Sequence, residues 1–125
     1  MRAWGPAAAW ATVLFLLSAW PDPIAPVWLA VNDKLVHLGL YSVMGGALAV
    51  GWLRSRPSPP HWLMMAVGAL YGATDEWHQI MVPGRFPSWS DWIADLVGVV
   101  LGYLVVILVA RALIGPAPET QQRMK

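Results

Sequence analysis

Residues 6–113 form a series of apolar stretches broken at three places by proline-containing segments, and this rhythm limits what the chain can fold into. The breaks hold Pro21, Pro23 and Pro26, then Pro57, Pro59 and Pro60, then Pro83 and Pro87. Proline lacks the amide hydrogen that a helix interior uses, so each break ends a helix. A helix crossing a hydrocarbon core needs about 20 mostly apolar residues. Four crossings with short loops therefore consume nearly all of a 125-residue chain, and no separate soluble domain remains. With 58% hydrophobic and 12% charged residues, the chain is too apolar for an ordinary soluble domain. The expected fold is an all-α polytopic membrane bundle of four transmembrane helices at about 6–20, 33–53, 61–82 and 90–113. Residues 1–115 make one domain, and 116–125 are expected to form a flexible tail.

The first stretch is short for a crossing. A cleavable signal peptide is the competing reading, because Arg2 precedes an apolar run and Leu17, Ser18 and Ala19 resemble a small-residue cleavage site. Both readings place the segment after it outside. The absence of cysteine excludes disulfides, thiolate metal sites and a cysteine nucleophile. No basic groove for nucleic acid is present.

Charge distribution orients the bundle. With both termini cytoplasmic, Arg2, Arg54, Arg56, Arg111, Arg123 and Lys125 lie inside and only Lys34 and Arg85 outside, as the positive-inside rule requires. Six acids, Asp22, Asp33, Asp75, Glu76, Asp91 and Asp95, fall in the outer half, against Glu119 alone inside. Trp20, Trp28, Trp77, Trp89 and Trp92 mark the outer boundary and Trp4, Trp52 and Trp62 the inner one, with Trp10 outside this pattern.

Within the outer half, Asp33, His37, Tyr41 and Gly45 recur every four residues and share one helix face, with Lys34 beside them. Tyr71, Asp75 and Gln79 do the same in the third helix, and Glu76 projects about 100° from Asp75. Asp91, Asp95, Gly98 and Gly102 form the stripe of the fourth, with Ser88 or Ser90 as its cap. Three helices thus offer polar faces at matching depth. Gly68 with Gly72, and Gly98 with Gly102, are small residues four apart that allow close helix approach beneath the acids.

Each residue also has a structural explanation. Asp33 and Asp91 suit helix N-termini, Lys34 and Arg85 can snorkel to headgroups, Tyr41 can pack in the core, and His61 and His78 can lie apart from the polar faces. Such explanations are weakest for His37, Asp75, Glu76, Gln79 and Asp95, because an ionisable group in a span costs about 2.5–3.5 kcal/mol on insertion scales. The outer ends of helices two and four are N-termini, which favour anions, and Lys34 and Arg85 reinforce this. The acids could instead hold a divalent cation or act as general acid and base. No metal motif of fixed spacing is present beyond the weak i, i+4 pair of Asp33 and His37, so neither metal nor cofactor is assigned.

The stretches DKLVHLGLYSVMGG and DEWHQIMVPGRFPSWSDWIADLVGVVLG resemble the VanZ-like family. Its pattern opens with Asp-Lys-x-x-His-x-x-x-Tyr, continues with acidic-x-x-Gln-x-x-x-Pro-x-Arg and ends with Asp-x-x-x-Asn-x-x-Gly. Asp33, Lys34, His37, Tyr41, Glu76, Gln79, Pro83, Arg85, Asp91, Asp95 and Gly98 occupy matching positions, with Asp95 standing where the pattern often has Asn. The resemblance covers residues 33–102 and leaves the first helix unassigned by motif. It implies a bacterial plasma membrane setting, in the cell envelope, and a link to teicoplanin resistance. It does not imply a reaction.

The leading expectation is a protein that binds an anionic lipid or lipid-linked cell-wall precursor at the outer leaflet and alters glycopeptide access. Lys34 and Arg85 would hold the anion, His37, Glu76 and Gln79 would line the site, and Asp91 and Asp95 would position Arg85. Asp33, Tyr41 and Asp75 complete the expected ligand-binding set. Two other classes stay open: a membrane-embedded hydrolase or transferase with His37 or Glu76 as general base, or a polar network that only locks helices together.

Overall fold

The computed structural model describes residues 2–21 and 32–115. Among these residues there are four helices and no strand: α1 (Gly5–Ser18), α2 (Asp33–Arg54), α3 (His61–Gln79) and α4 (Trp89–Ile114). The expected outer loop at 22–31 and the expected tail at 116–125 lie outside the described residues.

Each helix ends where the sequence removes its means of continuing. α3 stops at Gln79, three residues short of the expected end, because the ring of Pro83 collides with a helical carbonyl four residues before it. The amides of Ile80, Met81 and Val82 turn instead to the carbonyls of Trp77, His78 and Gln79. At the start of α4, Ser88 occupies the capping position, but its hydroxyl pairs with that of Ser90 at 2.7 Å and makes no cap bond.

The helices run up, down, up and down. Trp4, at the start of α1, lies against Gly51 near the end of α2, while Leu17, near the end of α1, meets Arg85 beyond α3. Consequently Arg2, Arg54, Arg56 and Arg111 gather at one end of the bundle, and Lys34 and Arg85 at the other with Asp33, Asp75, Glu76, Asp91 and Asp95.

α2 and α4 are parallel and form the closest pair. A Cβ on Gly102 would overlap the Ser42 carbonyl, and one on Gly45 would overlap that of Val99, so backbones touch where side chains would hold them apart. This contact fixes the register that brings the first turns of both helices together. α1 is fastened across the bundle by the Trp10 indole, which donates to the Leu40 carbonyl at 2.8 Å. That bond explains why Trp10 lies away from both aromatic belts. The Tyr71 hydroxyl donates to the Ala11 carbonyl, and the Trp92 indole to the Ala69 carbonyl at 3.0 Å.

α2 and α4 are long and apolar enough to cross a membrane; α1 is apolar but has only 14 residues. Large apolar side chains, including Leu35, Val43, Leu70, Val105 and Leu108, stand exposed on the outside of the bundle.

Candidate functional site

The polar faces of α2, α3 and α4 meet at the end opposite Arg2, Arg54, Arg56 and Arg111. His37 is one α-helical turn below Asp33, and its Nδ1 lies 2.8 Å from an Asp95 carboxylate oxygen on α4. Its Nε2 lies 4.0 Å from the Asp33 carboxylate. Asp95 is 1% exposed, so the pair is closed to solvent and its partners must come from protein or a bound group. One turn higher, Lys34 Nζ pairs with Asp91 at 2.7 Å, joining the first turns of α2 and α4.

These two pairs correct the expected roles of Asp91 and Asp95. The acids do not position Arg85; one holds Lys34 and the other His37. Periodicity within a helix shows which residues share a face, whereas partner choice depends on the α2–α4 register set by backbone contact at Gly45 and Gly102. Arg85 instead reaches α1, where a terminal guanidinium nitrogen donates to the Leu17 carbonyl at 3.3 Å. Its buried Nε has no hydrogen-bond partner among the described residues.

A cavity of about 400 Å³ opens between α1, α2 and α3 at this end. Asp33, His37, Tyr41, Asp75, Gln79 and Arg85 line it on the polar side, and Leu14, Leu17, Val36, Leu40 and Trp20 on the apolar side. Six of the expected ligand-binding residues thus share one cavity. Lys34 does not line it, and its ammonium is exposed and committed to Asp91. Tyr41 is 1% exposed and its ring lies 6.4 Å from that of Tyr71, so it serves packing as well as the cavity wall.

Glu76 lies between the His37–Asp95 pair and a second cavity. One of its oxygens accepts the Ser88 amide at 2.8 Å, and its carboxylate also lines a second cavity, of about 310 Å³, with Trp77, Trp89 and Trp92. The other oxygen is buried without a partner among the described residues, as is Asp95 Oδ2. His37, Glu76 and Asp95 each place one donor atom so that the three lie within 4.8 Å of one another, all buried. Asp33, His37 and Asp91 form a similar group nearer the surface.

The sequence did not single out three contributors. Ser88 acts through its backbone amide, which no motif marks. Leu17 acts through its carbonyl, and Ser18 places a buried hydroxyl without a partner at the cavity wall. Both belong to α1, where repeated polar spacing is absent. His78 stacks on Phe15 of α1 at 4.8 Å, and His61 pairs with the Tyr103 hydroxyl at 2.7 Å at the far end of the bundle. Neither takes part in the site.

The model of the VanZ/LLP1 family matches residues 6–110, which includes α1 as well as the three motif-bearing helices. No curated protein and no solved structure matches the chain.

Proposed function

Since the chain belongs to the VanZ/LLP1 family of cell-envelope proteins, we propose that it is a four-span plasma membrane protein holding an anionic lipid headgroup at the outer leaflet. Both termini are cytoplasmic in this reading. The ligand is a phospholipid or a lipid-linked cell-wall precursor, and its retention at the surface changes access of teicoplanin. The carrying observation is Arg85: it lines the cavity, makes no ion pair among the described residues and has guanidinium donors to offer. A phosphate oxygen accepts such donors in charge-assisted bonds, while the apolar wall of Leu14, Leu17 and Leu40 suits an acyl or polyprenyl chain. Segregation of Arg54, Arg56 and Arg111 at the opposite end supports the orientation.

The test compares binding of phosphatidylglycerol, a polyprenyl phosphate and zwitterionic phosphatidylcholine to purified full-length protein. Wild type prefers the anionic lipids, and the stronger of the two identifies the ligand class. Loss of charged hydrogen bonds worth about 1.5–3 kcal/mol makes Arg85→Gln weaker by about 10-fold or more. Lys34→Gln changes binding much less, because its ammonium faces Asp91 and not the cavity. Equal binding by wild type and Arg85→Gln overturns the reading.

The His37–Asp95 pair favours one further reading, a hydrolase or transferase on the same lipid-linked substrate. Asp95 at Nδ1 orients the imidazole and leaves Nε2 toward Asp33, as a general base toward a substrate requires. Turnover of the lipid-linked substrate that persists unchanged in His37→Ala removes it.

A further inference from the structure

We propose that His37, Glu76 and Asp95 bind one divalent metal ion of the zinc or manganese class between α2, α3 and α4. The donor set is one imidazole and two carboxylates, each from a different helix, with ligand atoms within 4.8 Å of one another. This dispersal is why no spacing motif marks it.

Burial and unmet bonding both point to a ligand. His37 and Glu76 are each 8% exposed and Asp95 is 1% exposed. Glu76 Oε1 and Asp95 Oδ2 have no hydrogen-bond partner among the described residues, although leaving a buried carboxylate oxygen unpaired is costly. Glu76 Oε2 is committed to Ser88, which leaves Oε1 as its free oxygen; Asp95 Oδ1 faces His37 Nδ1, the nitrogen an ion there would take. Lys34 is engaged by Asp91, which leaves His37 as the one basic side chain of the cluster, with Asp33 also 4.0 Å from its ring. One divalent cation balances the charges of Glu76 and Asp95. Protonation of a carboxylate is the competing means of neutralising the pair.

Side-chain rotation must draw donors that lie within 4.8 Å of one another onto a common ion. Ligand bonds of about 2.0–2.2 Å put neighbouring donors on a tetrahedral ion about 3.3 Å apart, so the 2.8 Å His37–Asp95 contact opens by a few tenths of an ångström as the metal replaces the bridging hydrogen. The Trp-lined cavity at Glu76 supplies an approach that does not pass Arg85. An imidazole with oxygen donors suits Zn²⁺ and Mn²⁺ better than softer ions, and cysteine is absent.

The experiment titrates chelator-treated, full-length protein in nanodiscs with Zn²⁺ and with Mn²⁺, by calorimetry and by Mn²⁺ paramagnetic resonance. Wild type binds one ion per chain, with a nitrogen-coupled signal from the imidazole. Glu76→Gln is the main variant because its amide oxygen still accepts the Ser88 amide, so the fold is retained; it weakens binding at least about 10-fold. Asp95→Asn does the same where it folds. Failure of wild type to bind either ion overturns the proposal, as does unchanged affinity in Glu76→Gln. Loss in Asp33→Asn with Glu76→Gln unaffected would also overturn it by moving the ion to the outer group. Arg85→Gln separates this site from the headgroup reading: it abolishes lipid preference and leaves metal stoichiometry at one.

Discussion

The two ends of the bundle each contain a histidine joined to a partner on α4, His37 buried and His61 exposed, and they are built on opposite terms. At the arginine-rich end, His61 stacks on Trp52 at 4.3 Å and meets the Tyr103 hydroxyl at 2.7 Å, and no carboxylate is near it among the described residues. The Trp52 indole donates to the Pro59 carbonyl, and Ser55 and Ser58 hydroxyls donate to backbone carbonyls, so the polar atoms are satisfied locally. At the other end, His37 meets a carboxylate, three further acids are buried nearby, and several polar atoms have no partner. The first arrangement satisfies its polar atoms although a cavity of about 360 Å³, lined by His61, Tyr103 and Arg111, lies beside it. The second leaves buried carboxylate oxygens without a partner among the described residues, beside two cavities.

Substitution at the charged end should cost the most stability. Asp95→Leu removes the carboxylate that holds His37, and breaking a buried pair by deleting one partner costs about 3–5 kcal/mol. Thermal unfolding in detergent should show a large loss, and a melting temperature near wild type would mean that the pair carries no net stability. Next comes the packing that sets its register. Gly102→Val drives a side chain into the Ser42 backbone and costs roughly 1–3 kcal/mol or more. The same separation of α2 from α4 should release the Lys34–Asp91 and His37–Asp95 pairs, so lipid binding falls together with stability.

The smallest effect belongs to the arginine-rich end. His61→Phe keeps a ring against Trp52 and loses a single neutral hydrogen bond, worth about 1 kcal/mol. It should leave lipid binding at the far end untouched. Destabilisation greater than that of Asp95→Leu would reverse the contrast between the ends.

The helices were legible in the sequence because proline position and apolar length act locally. The polar faces were legible too: Asp33, His37 and Tyr41 follow one helix face, as do Asp75 and Gln79, and all five line one cavity. Pairing between helices was not. Lys34 chooses Asp91 and His37 chooses Asp95 because Gly45 and Gly102 fix how far α4 slides along α2, and that offset leaves no trace in either helix alone. Arg85 was expected beside the acids, yet its observed partner is a main-chain carbonyl of α1, a group every residue carries. Glu76 was placed with His37 and Gln79 as one wall; it does keep an oxygen within 4.8 Å of ligand atoms of His37 and Asp95, but the sequence could not show that it also accepts the Ser88 amide and lines a separate cavity.

Single cysteines test directly whether the acidic end of the bundle lies at the outer surface, because the chain has none. A membrane-impermeant thiol reagent applied to intact cells should label cysteine at Pro87, in the loop before α4, and should leave cysteine at Ser58, in the loop before α3, unlabelled until the membrane is permeabilised. Labelling at Ser58 in intact cells with protection at Pro87 would invert the bundle, place Arg85 and its cavity on the cytoplasmic side, and contradict an outer-leaflet ligand.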